Sequence, residues 1–167
     1  DAPVVVGSVS DAVNLVNVRN VFVSWRYAYV TVGDVNRFSV VDVSNPSSPV
    51  VVGSLQSKDL NGSMGLFVSG RYAFVDVNGV SGPGANRFTV VDVSNPVVPV
   101  EVASLQDNTN LFGPQGVFVS GRFAYVTAAN RLTVVDVSTR VLRLMRIALL
   151  IPRILRVRLV FLFRAGM

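Results

Sequence analysis

The side chains that could do chemistry in this chain are few in kind, and they recur in step. A carboxylate returns as Asp42, Asp92 and Asp136, each with a serine two residues on. One guanidinium returns as Arg26, Arg71 and Arg122, and a second as Arg37, Arg87 and Arg131. A ring of carboxylates would suit cation binding. Asp beside Ser-Asn-Pro, however, habitually accepts backbone N–H bonds in the turn that follows, and that is the role expected here. The arginines are expected at strand edges or turns, paired with the recurrent Asp where geometry allows. Asp107-Asn108-Thr109-Asn110 offers oxygen ligands of the kind calcium takes, but without the defined spacing of a calcium loop, so no cofactor is expected. The chain has no His and no Cys, which removes imidazole acid–base chemistry, thiol nucleophiles, disulfides and the usual zinc sites. No nucleophile–base couple stands out, and Gly82-Pro83-Gly84 lies between strands rather than before a helix, so it cradles no phosphate. The chemistry of the residues points away from an enzyme.

The elements that must position these residues are repeated. Val21-Phe22-Val23-Ser24-Trp25-Arg26-Tyr27-Ala28-Tyr29-Val30 returns as Leu66–Val75 and again as Val117–Val126. Behind each stands a second block, Asn36–Ser44, Asn86–Ser94 and Asn130–Ser138. A third block, Pro49–Gln56, returns as Pro99–Gln106, and its opening also begins the chain at Pro3-Val4-Val5-Val6-Gly7-Ser8. The period of roughly 45 to 50 residues suits four-stranded propeller blades. Each full period holds four Val-rich strands, which we label A (Val21–Ser24), B (Tyr27–Thr31), C (Arg37–Val43) and D (Val50–Leu55). Gly70 and Gly121 suit a tight A–B hairpin at positive φ; Trp25 replaces that glycine in the first repeat, so its turn must differ or be strained. Ser-Asn-Pro-x-x-Pro makes the C–D turn, with Pro49 and Pro99 opening the last strand. Tyr27/Tyr29, Tyr72/Phe74 and Phe123/Tyr125 stand two apart on strand B and so share a face; packing between neighbouring blades accounts for them better than a sugar-stacking platform does.

The blocks Phe38–Pro46, Phe88–Pro96 and Leu132–Ser138, with their hydrophobic-x-hydrophobic-Val-Asp-x-Ser core, resemble the LVIVD repeat, and Ser-Gly-Arg-Tyr-Ala-Tyr-Val looks like the second strand of that family. The resemblance covers about residues 1–138 and implies a β-propeller in a bacterial or archaeal surface or secreted protein, hence an extracellular or cell-surface setting. It implies no common catalytic residue. Thr139-Arg140 departs from it, standing where Asn-Pro should.

The expected fold is therefore all-β: a propeller segment of about three four-stranded blades in an incomplete ring. A D strand is expected at 3–9 and blades at about 18–56, 64–106 and 115–138. The A–B and C–D turns keep one length, whereas the B–C and D–A connections vary, which puts all the length variation on a single face. Scaffold-held loops of varying length are where binding usually sits. The candidate contact residues on that face are Asp34, Lys58, Asp59, Asn61, Asn78, Asp107, Asn108, Asn110 and Phe112. The expected function is a non-catalytic repeat module for interaction with a protein or glycan ligand, or for surface structure. The alternative is part of a larger propeller enzyme or ligand-binding protein whose site lies in blades elsewhere.

The strand order D, ABCD, ABCD, ABC leaves the ring unclosed, since known rings run from about four to eight blades. Either the chain is a piece of a longer propeller, the first expectation and one that its opening at Asp1 without a leader also suggests, or two copies form a homodimer that completes six blades. The net charge of +5 is uneven: from Arg140 onward there are seven Arg and no acid, while the rest holds eight bases and ten acids. The repeat region thus lacks a nucleic-acid footprint. The 139–167 tail reads chiefly as non-native text of the kind a shifted frame produces. The other readings are a cationic membrane-surface helix and a helix capping the open blade. No run in it is long enough without Arg to span a bilayer.

Overall fold

The computed structural model describes residues 2–79 and 86–138. The Arg/Leu-rich tail and the Gly82-Pro83-Gly84 run fall outside them. Eleven strands fold as three successive antiparallel meanders. The first is β1 (Val18–Ser24), β2 (Tyr27–Val32), β3 (Arg37–Asp42) and β4 (Val50–Gln56). The second is β5 (Ser63–Ser69), β6 (Tyr72–Val77), β7 (Arg87–Asp92) and β8 (Val100–Gln106). The third has three strands, β9 (Pro114–Ser120), β10 (Phe123–Ala128) and β11 (Arg131–Asp136). Among the described residues one 3-10 turn, Lys58–Leu60, is the only helical element, and no helix is long and apolar enough to cross a membrane.

Short Val-rich strands broken by tight turns can satisfy their backbone only by pairing with their neighbours, which gives the meanders. The first strands of the sheets, β1, β5 and β9, approach one another, so the sheets radiate from a shared inner edge as propeller blades do. Between the first two blades, Tyr29, Phe38 and Val40 pack on Leu66, Val68, Ala73 and Val75. Between the second and third, Phe74, Phe88 and Val90 pack on Val119, Ala124 and Val126. Phe22, Phe67 and Phe118 step across the blades with ring centroids 5.0 and 4.8 Å apart. The middle blade is covered on both faces; Phe88, Val90 and Val91 are at most 1% exposed. Each such side chain contributes about 1.5–3 kcal/mol.

Tyr27 and Tyr29, like Tyr72 and Phe74, serve blade–blade packing as their spacing suggests, while Phe123 lies at the open end. One expected element differs. Residues 3–9 repeat the text of β4 yet form no strand. A strand needs an edge to pair with, and the described residues place no open edge alongside this segment.

Candidate functional site

On the face carrying the A–B and C–D turns, the recurrent charged residues form one unit three times over. The carboxylates of Asp42, Asp92 and Asp136 accept the backbone N–H of Ser44, Ser94 and Ser138 at 2.9, 3.0 and 2.9 Å. Each also pairs with the arginine of the adjoining hairpin: Arg26, Arg71 or Arg122. The Arg26 guanidinium beside Asp42, and that of Arg122 beside Asp136, hold these carboxyls far below the usual carboxylate range. Asp92 is also lowered, by Arg71 and Ser94 against the cost of burial. Each guanidinium lies 5.1–5.4 Å from a ring centroid, over Tyr27, Tyr72 or Phe123. In all three aspartates the charged form is thus favoured and closed off by local partners. They do not form a ring that could take a cation.

Trp25 breaks the repetition. Gly70 and Gly121 occupy the hairpin corner with φ of 59°, as positive φ favours, and Trp25 adopts φ of 57° at the same corner. The strain suspected from the sequence is therefore real, and the tryptophan is 97% exposed. Beside it lies a groove of about 310 Å³ lined by Arg26, Tyr27, Tyr29, Gly70 and Pro96. The sequence carried a signal for this site, a tryptophan where its repeats have glycine, but that signal pointed only to a turn problem.

On the opposite face the variable connections are more committed than their sequences suggest. Asp107 accepts the backbone N–H of Thr109 and Asn110 and the side-chain amide of Asn110 at 2.8–2.9 Å, which keeps its carboxyl below the usual range. Asp11 does the same for Val13 and Asn14. These turns deliver an oxygen to the third strand of the next blade. Asn14 binds Arg37 and Ser39, and Asn110 binds Arg131 and Thr133. In the second blade Asp59 replaces the asparagine, with its carbonyl accepting from Thr89 at 2.7 Å and its carboxylate 3.6 Å from Arg87. Beneath each clasp sits a leucine, Leu15, Leu60 or Leu111, the last two fully buried. Arg37, Arg87 and Arg131, expected at edges or turns, are the receivers of this clasp.

The other candidate contact residues divide. Asp34 is exposed and pairs with Arg19 at 3.1 Å and with Asn17. Asn108 accepts from Asn86 at 3.3 Å, and the Asn78 backbone N–H donates to Gly62. Lys58 and Asn61 are exposed, and Phe112 is 61% exposed. The fold brings these residues to one face, but Asp59, Asp107 and Asn110 spend their polar groups inside it. Among the described residues no cluster of three or more carboxylates could hold a metal.

One buried carboxylate was not legible as a feature. Asp76 on β6 stands where the other blades have Thr31 and Thr127. It is wholly buried, accepts the Gly65 backbone N–H at 2.6 Å, and leaves its second oxygen without a partner. Burial pushes its pKa up to about 6.

A family model described as the LVIVD repeat matches residues 17–57, 62–107 and 114–140. No curated protein matches the chain. Among solved structures, a functionally unknown protein from Desulfotomaculum acetoxidans DSM 771 superposes with a TM-score of 0.61 at 16% identity, over 72% of this chain and 38% of that one. The likeness concerns the fold. The chain accounts for well under half the length of that neighbour.

Proposed function

The chain belongs to the LVIVD-repeat family, and from that premise we propose that it is a non-catalytic β-propeller module that binds a ligand through the Trp25 groove in an extracellular or cell-surface setting. The carrying observation is Trp25 itself. Glycine meets every structural demand of this hairpin corner in the sister blades, so a tryptophan there gains nothing for the fold. It adds an unfavourable backbone conformation, on the order of 1 kcal/mol, and a large exposed ring. Tryptophan is enriched among the residues that dominate binding energy. Arg26 is neutralised by Asp42 and lies over Tyr27, so the groove wall is aromatic and uncharged in sum. Such a wall suits a neutral ring, either a sugar or a proline or aromatic side chain of a protein. The locally satisfied carboxylates, together with the lack of His and Cys, support a role without acid–base chemistry.

The test is a glycan and peptide array probed with the wild-type chain and with Trp25→Gly. Binding that disappears in a variant with unchanged circular dichroism supports the proposal. Binding that survives moves the contact away from this groove, and turnover of a bound compound would overturn the non-catalytic role. A second reading rests on Phe112, 61% exposed on a loop held rigid by Asp107 and the Asn110 clasp. Loss of array binding in Phe112→Ala but not in Trp25→Gly would select it.

A further inference from the structure

We propose that two copies of this chain close a single six-bladed ring, each lending its residues 3–9 as the fourth strand of the partner's third blade. Among the described residues the third sheet ends at β11, whereas in the other two sheets the strand at that place pairs with a fourth. Among the described residues the third blade also has no following blade to pack on, the part that the second plays for the first and the third for the second. Leu132 and Val134 are 62% and 53% exposed, while their counterparts Phe38, Phe88, Val40 and Val90 are at most 1% exposed.

The missing strand is present in the same chain. Pro3-Val4-Val5-Val6-Gly7-Ser8 repeats Pro49-Val50-Val51-Val52-Gly53-Ser54 letter for letter. It also already occupies a fourth strand's seat on the following blade. A Cβ at Gly7 would collide with the Pro46 carbonyl and lie 2.8 Å from Ser47 Cα, just as one at Gly53 would collide with the Pro96 carbonyl. What it lacks is a sheet of its own, and Val4, Val5 and Val6 are 65–91% exposed.

The faces flanking this strand match as the established blade contacts do. The first blade leaves Val21 and Val23 58% and 59% exposed, where Leu66 and Val68 of the second are buried by the blade before it. Val21 borders an apolar cavity of about 570 Å³ that is also lined by Val9, Leu15, Val30 and Val43. The third blade presents Phe118, Leu132 and Val134 on its bare side. A second copy is the occupant that continues the existing Phe22–Phe67–Phe118 series into Phe22 of the partner. Three blades from each of two chains fall within the usual ring size of about four to eight, whereas three alone do not.

The register follows from β7–β8, where Thr89 lies opposite Ser104 with hydroxyl oxygens 3.3 Å apart. By the same register Ser8 of one copy faces Thr133 of the other. Because the chain has no cysteine, Ser8→Cys and Thr133→Cys variants report on this contact alone. Co-refolded and oxidised, the two single variants are expected to give a disulfide-linked dimer that neither gives by itself. Light scattering on the unmodified full chain is expected to show one species of twice the chain mass. A monodisperse monomer would overturn the proposal and assign the bare faces to residues 139–167 or to blades carried elsewhere. A mass that climbs with concentration would overturn closure, and a dimer that fails to cross-link between Ser8→Cys and Thr133→Cys would overturn the strand exchange.

Discussion

Gly53 of β4 lies so close to Pro96 of the next blade that the space for a Cβ is already taken by the proline's carbonyl oxygen, with the Val97 carbonyl 2.9 Å from the same point. Here an outer strand of one blade rests directly on the C–D turn of the next, backbone against backbone. Gly53→Ala must push the blades apart, and overpacking of this kind costs about 1–3 kcal/mol. The expected result is a lower urea midpoint with an unchanged m-value. Ala103 stands at the corresponding ladder position of β8, so the demand belongs to the blade–blade seat and not to the strand.

The leucines under the interblade clasps offer an internal comparison. Leu60 is fully enclosed between the first two blades, whereas Leu15 packs at the open end of the first. Leu60→Ala is expected to lose about 2–5 kcal/mol, in the range for a buried leucine whose cavity cannot collapse. In the closed six-bladed ring proposed above the partner copy covers the cavity that Leu15 lines, so Leu15→Ala is expected to lose a comparable amount. Thermal or urea unfolding of the two variants side by side checks this, and a clearly smaller loss for Leu15→Ala would mean that this end stays open in solution.

The strands and turns were readable because their determinants are local. Alternating Val with Gly or Ser-Asn-Pro at the ends needs no partner to be recognised, and Asp42 with Ser44 two residues on is a turn written in three letters. Determinants that depend on a neighbour were not readable. Residues 3–9 carry strand text without an edge to pair with. The clasp was hidden because Asp11-x-x-Asn14-Leu15 and Asp107-x-x-Asn110-Leu111 share a pattern that the middle repeat replaces with Ser57-Lys58-Asp59-Leu60. As a result, Asp59, Asp107 and Asn110 looked like contact residues, although their polar groups join connection to blade. Trp25 was visible as an exception to its repeats, but only its 97% exposure makes it a candidate contact.

If Trp25 serves binding and not folding, its removal must leave the fold intact. Trp25→Gly restores the residue that the sister hairpins use at φ of 59°. It is expected to leave stability unchanged or raise it by up to about 1 kcal/mol, since only the positive-φ penalty is relieved. The reverse change, Gly70→Trp, should cost a similar amount. A large loss of stability in Trp25→Gly would show that the indole supports the blade and would remove the argument for a contact role.

Asp76 predicts an acid-side gain in stability, opposite to the habit of paired carboxylates. Its pKa in the folded chain, about 6, exceeds the ordinary value of 3.8 because burial disfavours the charge. Between those values the folded protein keeps a proton that the unfolded chain has released, so stability falls as pH rises through the window and stays lower above it. The shift corresponds to something on the order of 3 kcal/mol. Glu101, raised chiefly by burial, acts in the same direction. Asp42, Asp92 and Asp136 are lowered, so their contribution is lost only as pH falls below the ordinary carboxylate range and does not mask the effect. Asp76→Thr installs the residue found at this place in the other two blades and is expected to stabilise the chain at about pH 7.5 while changing little at about pH 4. Urea unfolding at the two pH values checks this. A variant less stable than wild type at the higher pH would mean that the Asp76–Gly65 hydrogen bond outweighs the cost of burying the charge.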